Sequence, residues 1–245
     1  MAMGVDLQEK TDRDDARFHG ASYAFSTLQT RNTVIAAIVP AHNEEDQIRS
    51  CLTALRVAAQ CPRLCGEQTV LIVVLDACTD STRRIAREMG ATTIALHACN
   101  VGAARDLGAQ LALAAGARWL AFIDADTPVA PDWISAQLAL NSEVICGTVN
   151  ASYIDADGHR RLHGANLGMS ARAYERAGGF RPLNRSEDLA LIEALQASGA
   201  LIAWTATPRV VTSAKSALRA LGGFGARFAH TDQHSQTRRP EKARA

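Results

Sequence analysis

The sequence carries almost no excess charge: among 245 residues, 26 Lys and Arg stand against 25 Asp and Glu, a formal balance of +1. A chain this close to neutral exerts no general pull on a polyanion, which excludes nucleic acid as a favoured partner. It also lacks any C-x-x-C and any Cys/His spacing of the zinc type. Its six cysteines, Cys51, Cys61, Cys65, Cys78, Cys99 and Cys146, are scattered, mostly through apolar segments. Cys61 and Cys65 share a predicted loop, and the set reads as buried free thiols of a reducing cytoplasm. Nor is there a run of about 18 apolar residues that could span a membrane. The longest candidate, Leu111 to Ile123, is short and carries Arg118. The N-terminus has no apolar h-region, because Asp6 to Arg17 is a mixed-charge stretch. These absences predict a cytoplasmic chain with no signal peptide and no transmembrane segment. No internal repeat or low-complexity tract is visible.

What is present is alternation. Residues 1–32 are polar and aperiodic and read as a loose tail. Val34 to Val39 is a continuous apolar run ended by Pro40, suited to a strand buried on both faces. Asn43 is the expected cap of a first helix, with Glu44, Glu45 and Asp46 in its first turn and Ile48, Cys51, Leu52 and Leu55 inward. Val70 to Leu75 predicts a second strand ending at Asp76, with a helix opening at Thr79 or Asp80 and stopped by Gly90. Thr92 to Leu96 is a third strand. Asn100 leads into an Ala-rich helix that closes near Gly116, and Trp119 to Ile123 is a fourth strand. Strict alternation of strand and helix implies parallel strands with right-handed crossovers. The fold class is α/β, a three-layer α/β/α sandwich with a mostly parallel central sheet.

The second half is less regular. Pro131 begins a short helix, Glu143 to Val149 reads as a strand, and Asp155-Ala156-Asp157-Gly158 as a turn. Ala165 to Met169 is expected to return to the sheet edge. Ser186 caps a helix to about Ser198, and Leu201 to Trp204 is a last strand. The polar, basic stretch from 231 to 245 reads as a second tail, leaving 33–230 as a single domain.

Chemistry gathers where the strands end. Asp124-Ala125-Asp126 follows Trp119 to Ile123, and two carboxylates one residue apart on a strand end point to one side. Such a pair can hold a hard divalent cation, which in turn can hold a diphosphate, although a lone D-x-D is more often a solvated loop. The first strand delivers Pro40-Ala41-His42-Asn43-Glu44 and the second Asp76-Ala77-Cys78-Thr79-Asp80 to the same carboxyl edge, where open parallel sheets bind ligands. Independent loops would not concentrate acids and amides at one edge.

Further stretches extend the pattern in order: Asn100-Val101-Gly102, Arg105-Asp106-Leu107-Gly108, Phe122-Ile123-Asp124-Ala125-Asp126, Gly164-Ala165-Asn166-Leu167-Gly168, Gly178-Gly179-Phe180 and Ser186-Glu187-Asp188. With Val39 to Glu45 and Asp76 to Thr82 they make the chain resemble the family 2 glycosyltransferases, of GT-A fold, from about Val34 to Trp204. The resemblance implies an inverting, metal-dependent transfer of one sugar from a nucleotide-diphosphate sugar, a UDP-sugar favoured, to a discrete acceptor hydroxyl. It divides the domain into a nucleotide-sugar half, 33–127, and an acceptor half, 128–230.

Position by position, it implies that Pro40, Ala41 and Glu44 line the nucleotide pocket and that Asp76 bonds the base; the plainer reading of Asp76 is a turn former. Arg105 is similar to an arginine facing the nucleotide-sugar, where the alternative is a solvated helix charge. Asp124 would contact ribose or sugar, and Asp126 would bind Mn²⁺ or Mg²⁺. Asp188, with Glu187 beside it, is implied as the catalytic acid pair, Asp188 being the base; the alternative is two acids placed by the helix dipole. Asp188 shares a helical face with Ile192 and Leu195, which turns it toward the body. His163 and Asn166 stand where the resemblance puts acceptor or donor-sugar contacts, with buried hydrogen bonding as the alternative. His230 and His234 are left outside the site.

The chain departs from the pattern in three places. The interval from Asp126 to Glu187 is short, Ser170 and Ala171 replace a frequent basic pair, and the Q-x-x-R-W motif of processive synthases is missing. The acceptor is therefore expected to be a discrete lipid or small molecule, a lipid-linked one allowing peripheral membrane association. Two other readings are a catalytically silent nucleotide-sugar-binding partner and, less favoured, a nucleotidyltransferase, whose basic Gly-rich loop is not found after Val39. A dehydrogenase is disfavoured by the lack of G-x-G-x-x-G there.

Overall fold

The computed structural model describes residues 34–147 and 166–210. His163, His230, His234, the turn at 155–158 and both predicted tails lie outside the described residues. Seven strands form one sheet in the order β3-β2-β1-β4-β6-β5-β7. They are β1 (Val34–Ala41), β2 (Gln68–Asp76), β3 (Thr92–Leu96), β4 (Ala117–Phe122), β5 (Val144–Gly147), β6 (Leu167–Ser170) and β7 (Ile202–Thr205). Between them run α1 (Ile48–Ala59), α2 (Thr82–Glu88), α3 (Val101–Ala114), α4 (Trp133–Ala139), α5 (Ala171–Ala177) and α6 (Glu187–Ala197). β1 is parallel to β2 and β4, β2 to β3 and β5 to β7, whereas β6 runs antiparallel to both its neighbours.

Period-two alternation in the buried strands builds the three layers. Ile35, Ala37 and Val39 face a cluster with Ile48, Cys51, Leu52 and Leu55 of α1 and Trp133 and Ile134 of α4. Ala36 and Ile38 face the opposite cluster, with Ala104, Ala109 and Ala112 of α3, Tyr174 of α5 and Leu191, Ile192 and Leu195 of α6. Full burial of side chains such as Ile35 and Ile38 stabilises by about 1.5–3 kcal/mol each. α3 lies close against the sheet because Gly108 has no side chain: a Cβ there would meet Ile38 Cγ2 at 2.5 Å.

Several predicted boundaries move. α1 starts at Ile48 rather than after Asn43, because residues 44–47 close a turn in which Gln47 N and Ile48 N both donate to the Glu44 carbonyl. Likewise α2 begins at Thr82, where Asp80 Oδ1 accepts Thr82 N at 3.0 Å. The strand expected at the sheet edge near Ala165 is β6, and it sits inside the sheet between β4 and β5; the edges are β3 and β7. Its interior place follows from its short run, Leu167 to Met169, being buried.

Candidate active site

β1, β2 and β4 are parallel, so the segments after Ala41, Asp76 and Phe122 all leave from one edge. The loops after β1 and β2 are knitted together. Asn43 Oδ1 accepts Thr79 N at 2.8 Å, Glu44 N donates to Thr82 Oγ1 at 2.8 Å, Glu45 N donates to Asp80 Oδ2 at 3.0 Å, and Ser81 N donates to Glu45 Oε2 at 3.0 Å. The Cys78 thiol donates to the Ala41 carbonyl at 3.2 Å. Asn43 and Ala77 hold φ of 54° and 51°, a region that Asn visits readily and Ala does not. The interlocked loops hold Ala77 there, beside buried Pro40 and Ala41 and half-buried Glu44.

Asp76, 5% exposed, has a carboxylate already engaged. Oδ1 accepts Ala98 N at 2.8 Å and Cys99 N at 2.9 Å, and Oδ2 accepts Asn100 N at 2.7 Å. Burial raises its pKa, but these three N–H bonds outweigh that and hold it below the usual carboxylate range. The acid expected to bind a base is thus the anchor of the segment entering α3. Asn100 then caps α3, its Oδ1 accepting Ala103 N at 2.8 Å while its Nδ2 donates to the Leu183 carbonyl at 3.0 Å.

Arg105 is the centre of the arrangement. It lies in α3 with a side chain only 4% exposed, donating from Nη1 to Glu187 Oε1 at 2.7 Å and from Nη2 to Asp124 Oδ1 at 2.8 Å. Its guanidinium stands 5.5 Å over the Phe180 ring. Burial lowers the Arg105 pKa, and Asp124, Glu187 and Asp188 more than compensate, keeping it above its ordinary value. Neither a solvated charge nor an open donor-facing group, it is a buried cation between two acids. Glu187, 12% exposed at its side chain, gives its Oε1 to this pair.

Asp124 keeps 38% of its side chain exposed, so the carboxylate that Arg105 grips still opens to the edge. Asp126 is half-buried, and its Oδ1 accepts the Thr127 hydroxyl at 3.0 Å. Asp188 is half-buried in the first turn of α6, its Oδ1 accepting Leu189 N at 2.8 Å. Asn166 takes up the buried hydrogen bonding that was its alternative reading. It is 1% exposed, with Oδ1 accepting Trp133 Nε1 at 2.9 Å and Nδ2 donating to the Pro208 carbonyl at 2.9 Å. It pins β6 to α4 and to the segment after β7.

A second group escaped the sequence reading. Tyr174 donates its hydroxyl to Asp106 Oδ1 at 2.7 Å and accepts Phe180 N at 3.0 Å. Its ring stacks on Phe122, whose other neighbour is Phe180 at 5.1 Å. This fixes Phe180 beneath Arg105. Its sequence signals are Gly178-Gly179-Phe180 and the Asp106 of Arg105-Asp106-Leu107-Gly108, neither of which carries a role in the sequence alone.

Among the described residues no group of three or more His, Cys, Asp and Glu assembles as a metal cage. The donor set suits the other mode of binding Mg²⁺ or Mn²⁺, in which one or two carboxylates act with substrate phosphates. Asp126 fits that mode; Asp124 is drawn toward Arg105.

Residues 36–198 match the model of glycosyl transferase family 2. The fold is similar to a mannosyltransferase from Pyrobaculum calidifontis solved with GDP-Man and Mn²⁺, at TM-score 0.63 and 16% identity, covering 90% of this chain and 74% of that one. It is similar to glucosyl-3-phosphoglycerate synthase from Mycobacterium tuberculosis solved with Mn²⁺, UDP and glucosyl-3-phosphoglycerate, at TM-score 0.57 and 16% identity, covering 84% and 81%. It is also similar to residues 1–349 of TarS from S. aureus with UDP, at TM-score 0.58 and 17% identity, where it covers 74% of this chain and spans 60% of that one. No curated protein sequence matches the chain. Among the described residues no helix is long and apolar enough to cross a membrane.

Proposed function

The chain belongs to glycosyl transferase family 2, and from that premise we propose that it is an inverting, metal-dependent glycosyltransferase. It moves one sugar from a nucleotide-diphosphate sugar to a hydroxyl of a discrete acceptor, a lipid or a small molecule. The observation that carries this reading is the half-open Asp124-Ala125-Asp126 edge, joined through buried Arg105 to the helix that bears Asp188.

The donor lies along the carboxyl edge. The interlocked loops with Pro40, Ala41 and Glu44 line the nucleotide pocket, with Asp76 and the 98–100 backbone that it organises beside the base. The UDP complexes of TarS and glucosyl-3-phosphoglycerate synthase favour a UDP-sugar, while the mannosyltransferase complex holds GDP-Man. The oxygen of Asp124 that Arg105 does not engage reaches ribose or sugar. Asp126 holds Mn²⁺ or Mg²⁺, which neutralises charge on the departing diphosphate when bound. Asp188 takes the proton of the acceptor hydroxyl as its oxygen bonds to the anomeric carbon. The bond from that carbon to the diphosphate breaks, its electron pair leaves with the diphosphate, and a single displacement inverts the centre.

The test is a panel of nucleotide sugars with Mn²⁺, reading thermal shift for binding and nucleotide release for turnover. The expected result is a metal-dependent shift for one donor, lost in Asp126→Ala. A shift that persists in Asp126→Ala or in EDTA overturns the metal bridge. Binding without release or transfer to any acceptor favours the silent partner instead.

A further inference from the structure

Arg105 joins two parts of the chain that the reaction uses at different moments. One arm ends on Asp124, at the donor edge, and the other on Glu187, the first residue of α6 and the neighbour of Asp188. We propose that Arg105 is a positioning residue that transmits occupation of the donor site to the helix carrying the base, so that Asp188 is set for the acceptor only when donor is bound. The inference rests on the glycosyltransferase reading and adds to it a route from donor to base.

Three features favour a coupling element over a simple structural pair. First, the guanidinium is planar and forked, so fixing one arm at 2.8 Å on Asp124 fixes the direction of the other, at 2.7 Å on Glu187. Second, it is closely packed, with 4% of its side chain exposed. Phe180 lies under it at 5.5 Å, held in turn by Tyr174 and Asp106, and Gly102 lets α3 reach within a side-chain diameter of α6. A Cβ on Gly102 would lie 3.1 Å from Glu187 Cβ and 2.5 Å from the Arg181 carbonyl. A displacement at Asp124 therefore moves α6 rather than dissipating in a loose side chain. Third, Nε of Arg105 is buried with no hydrogen-bond partner among the described residues. A purely structural bridge would be expected to satisfy all three nitrogens, and an unsatisfied buried donor is costly. The arrangement keeps the fork on its two acids at the expense of that bond.

The entry to α6 is also poised. Ser186 precedes it at φ 58° with no side-chain cap on the helix, a strained conformation for a residue with a Cβ. The first turn of α6 is thus held by Arg105 and by packing rather than by its own cap. Asp188, whose charge contributes to the field at Arg105, sits in that turn.

The test is hydrogen exchange of the full chain with and without UDP-glucose or GDP-mannose plus Mn²⁺, using whichever produces a thermal shift. In the wild type, donor is expected to raise protection of the α6 amides, residues 187–197, by about tenfold. In Arg105→Lys, which keeps the charge but loses the rigid planar fork that fixes one arm relative to the other, donor still binds and the rise falls below about twofold. Steady-state kinetics then show donor KM nearly unchanged and kcat reduced. Should Arg105→Lys fold poorly, Glu187→Gln removes one charged arm while leaving the Asp124 arm in place, and the same loss of protection is expected. If donor protects α6 equally in wild type and both variants, or if KM and kcat fall together with thermal stability, the coupling is overturned. If no nucleotide sugar binds the wild type, the glycosyltransferase reading itself falls, and the coupling with it.

Discussion

Asp76 and Asn100 lie on different strand-end loops, and the Asn100 backbone N–H donates to Asp76 Oδ2 at 2.7 Å. One carboxylate at the end of β2 thereby sets the first residue of the α3 cap, which in turn holds Leu183 through its amide nitrogen. Asp76→Ala removes the acceptor of three N–H groups and is expected to cost about 3 kcal/mol, since bonds to an ionised group run above neutral ones. Denaturant unfolding measures the loss. A drop below about 0.5 kcal/mol would mean that water replaces the carboxylate without penalty.

The same bonds give stability a pH dependence. Although burial pushes the Asp76 pKa up, its N–H bonds hold the folded value below the ordinary 3.8. A depressed folded pKa contributes stability that is complete above the unfolded value and is lost as pH falls through the folded one. The wild-type melting temperature is therefore expected to decline below about pH 4, more steeply than in Asp76→Asn. Parallel curves for the two proteins would remove Asp76 from the acid limb.

The legible parts of this chain were those where one periodicity ruled. The first strand, Val34 to Ala41, is buried along its whole length and reads as an unbroken apolar run. The helix starts were misread because Asn43 and Asp80 had the residue types of caps. Asn43 Oδ1 reaches across the loops to Thr79 N and Asp80 Oδ2 to Glu45 N, while Asp80 Oδ1 stays local on Thr82 N, and a cross-loop bond leaves no trace in local sequence. β6 was placed at the edge because its reversed direction inside a parallel sheet depends on which neighbours it finds. In the candidate site the residue identities were visible, but their partners were not. Asp76, Arg105, Glu187 and Asn166 all read as groups facing substrate, yet each bonds partners within the protein.

Two glycines in α3 separate packing from function. Gly108→Ala drives a methyl toward Ile38 and is expected to destabilise the fold by about 1–3 kcal/mol, with donor affinity unchanged once the protein is folded. Gly102→Ala meets the Arg181 carbonyl at 2.5 Å, which is backbone and cannot rotate away. It should cost a similar amount and also lower turnover, because it pushes α3 from the helix that holds Glu187. Equal kinetic effects from the two substitutions would show that α3 placement acts only through stability.

Asp188→Asn isolates the base from the rest of the site. The amide matches the carboxylate in size and still offers Oδ1 to Leu189 N, the bond seen at 2.8 Å, so fold and donor affinity should persist. Without a group able to take the acceptor proton, kcat is expected to fall by about 100-fold or more. Glu187→Gln differs in kind, because Glu187 Oε1 accepts Arg105 Nη1 at 2.7 Å: its loss should be smaller, and rescue by Glu187→Asp partial at best, since the shorter side chain no longer meets Nη1. Turnover unchanged in Asp188→Asn but abolished in Glu187→Gln would exchange the two roles and place the base inside the Arg105 pair.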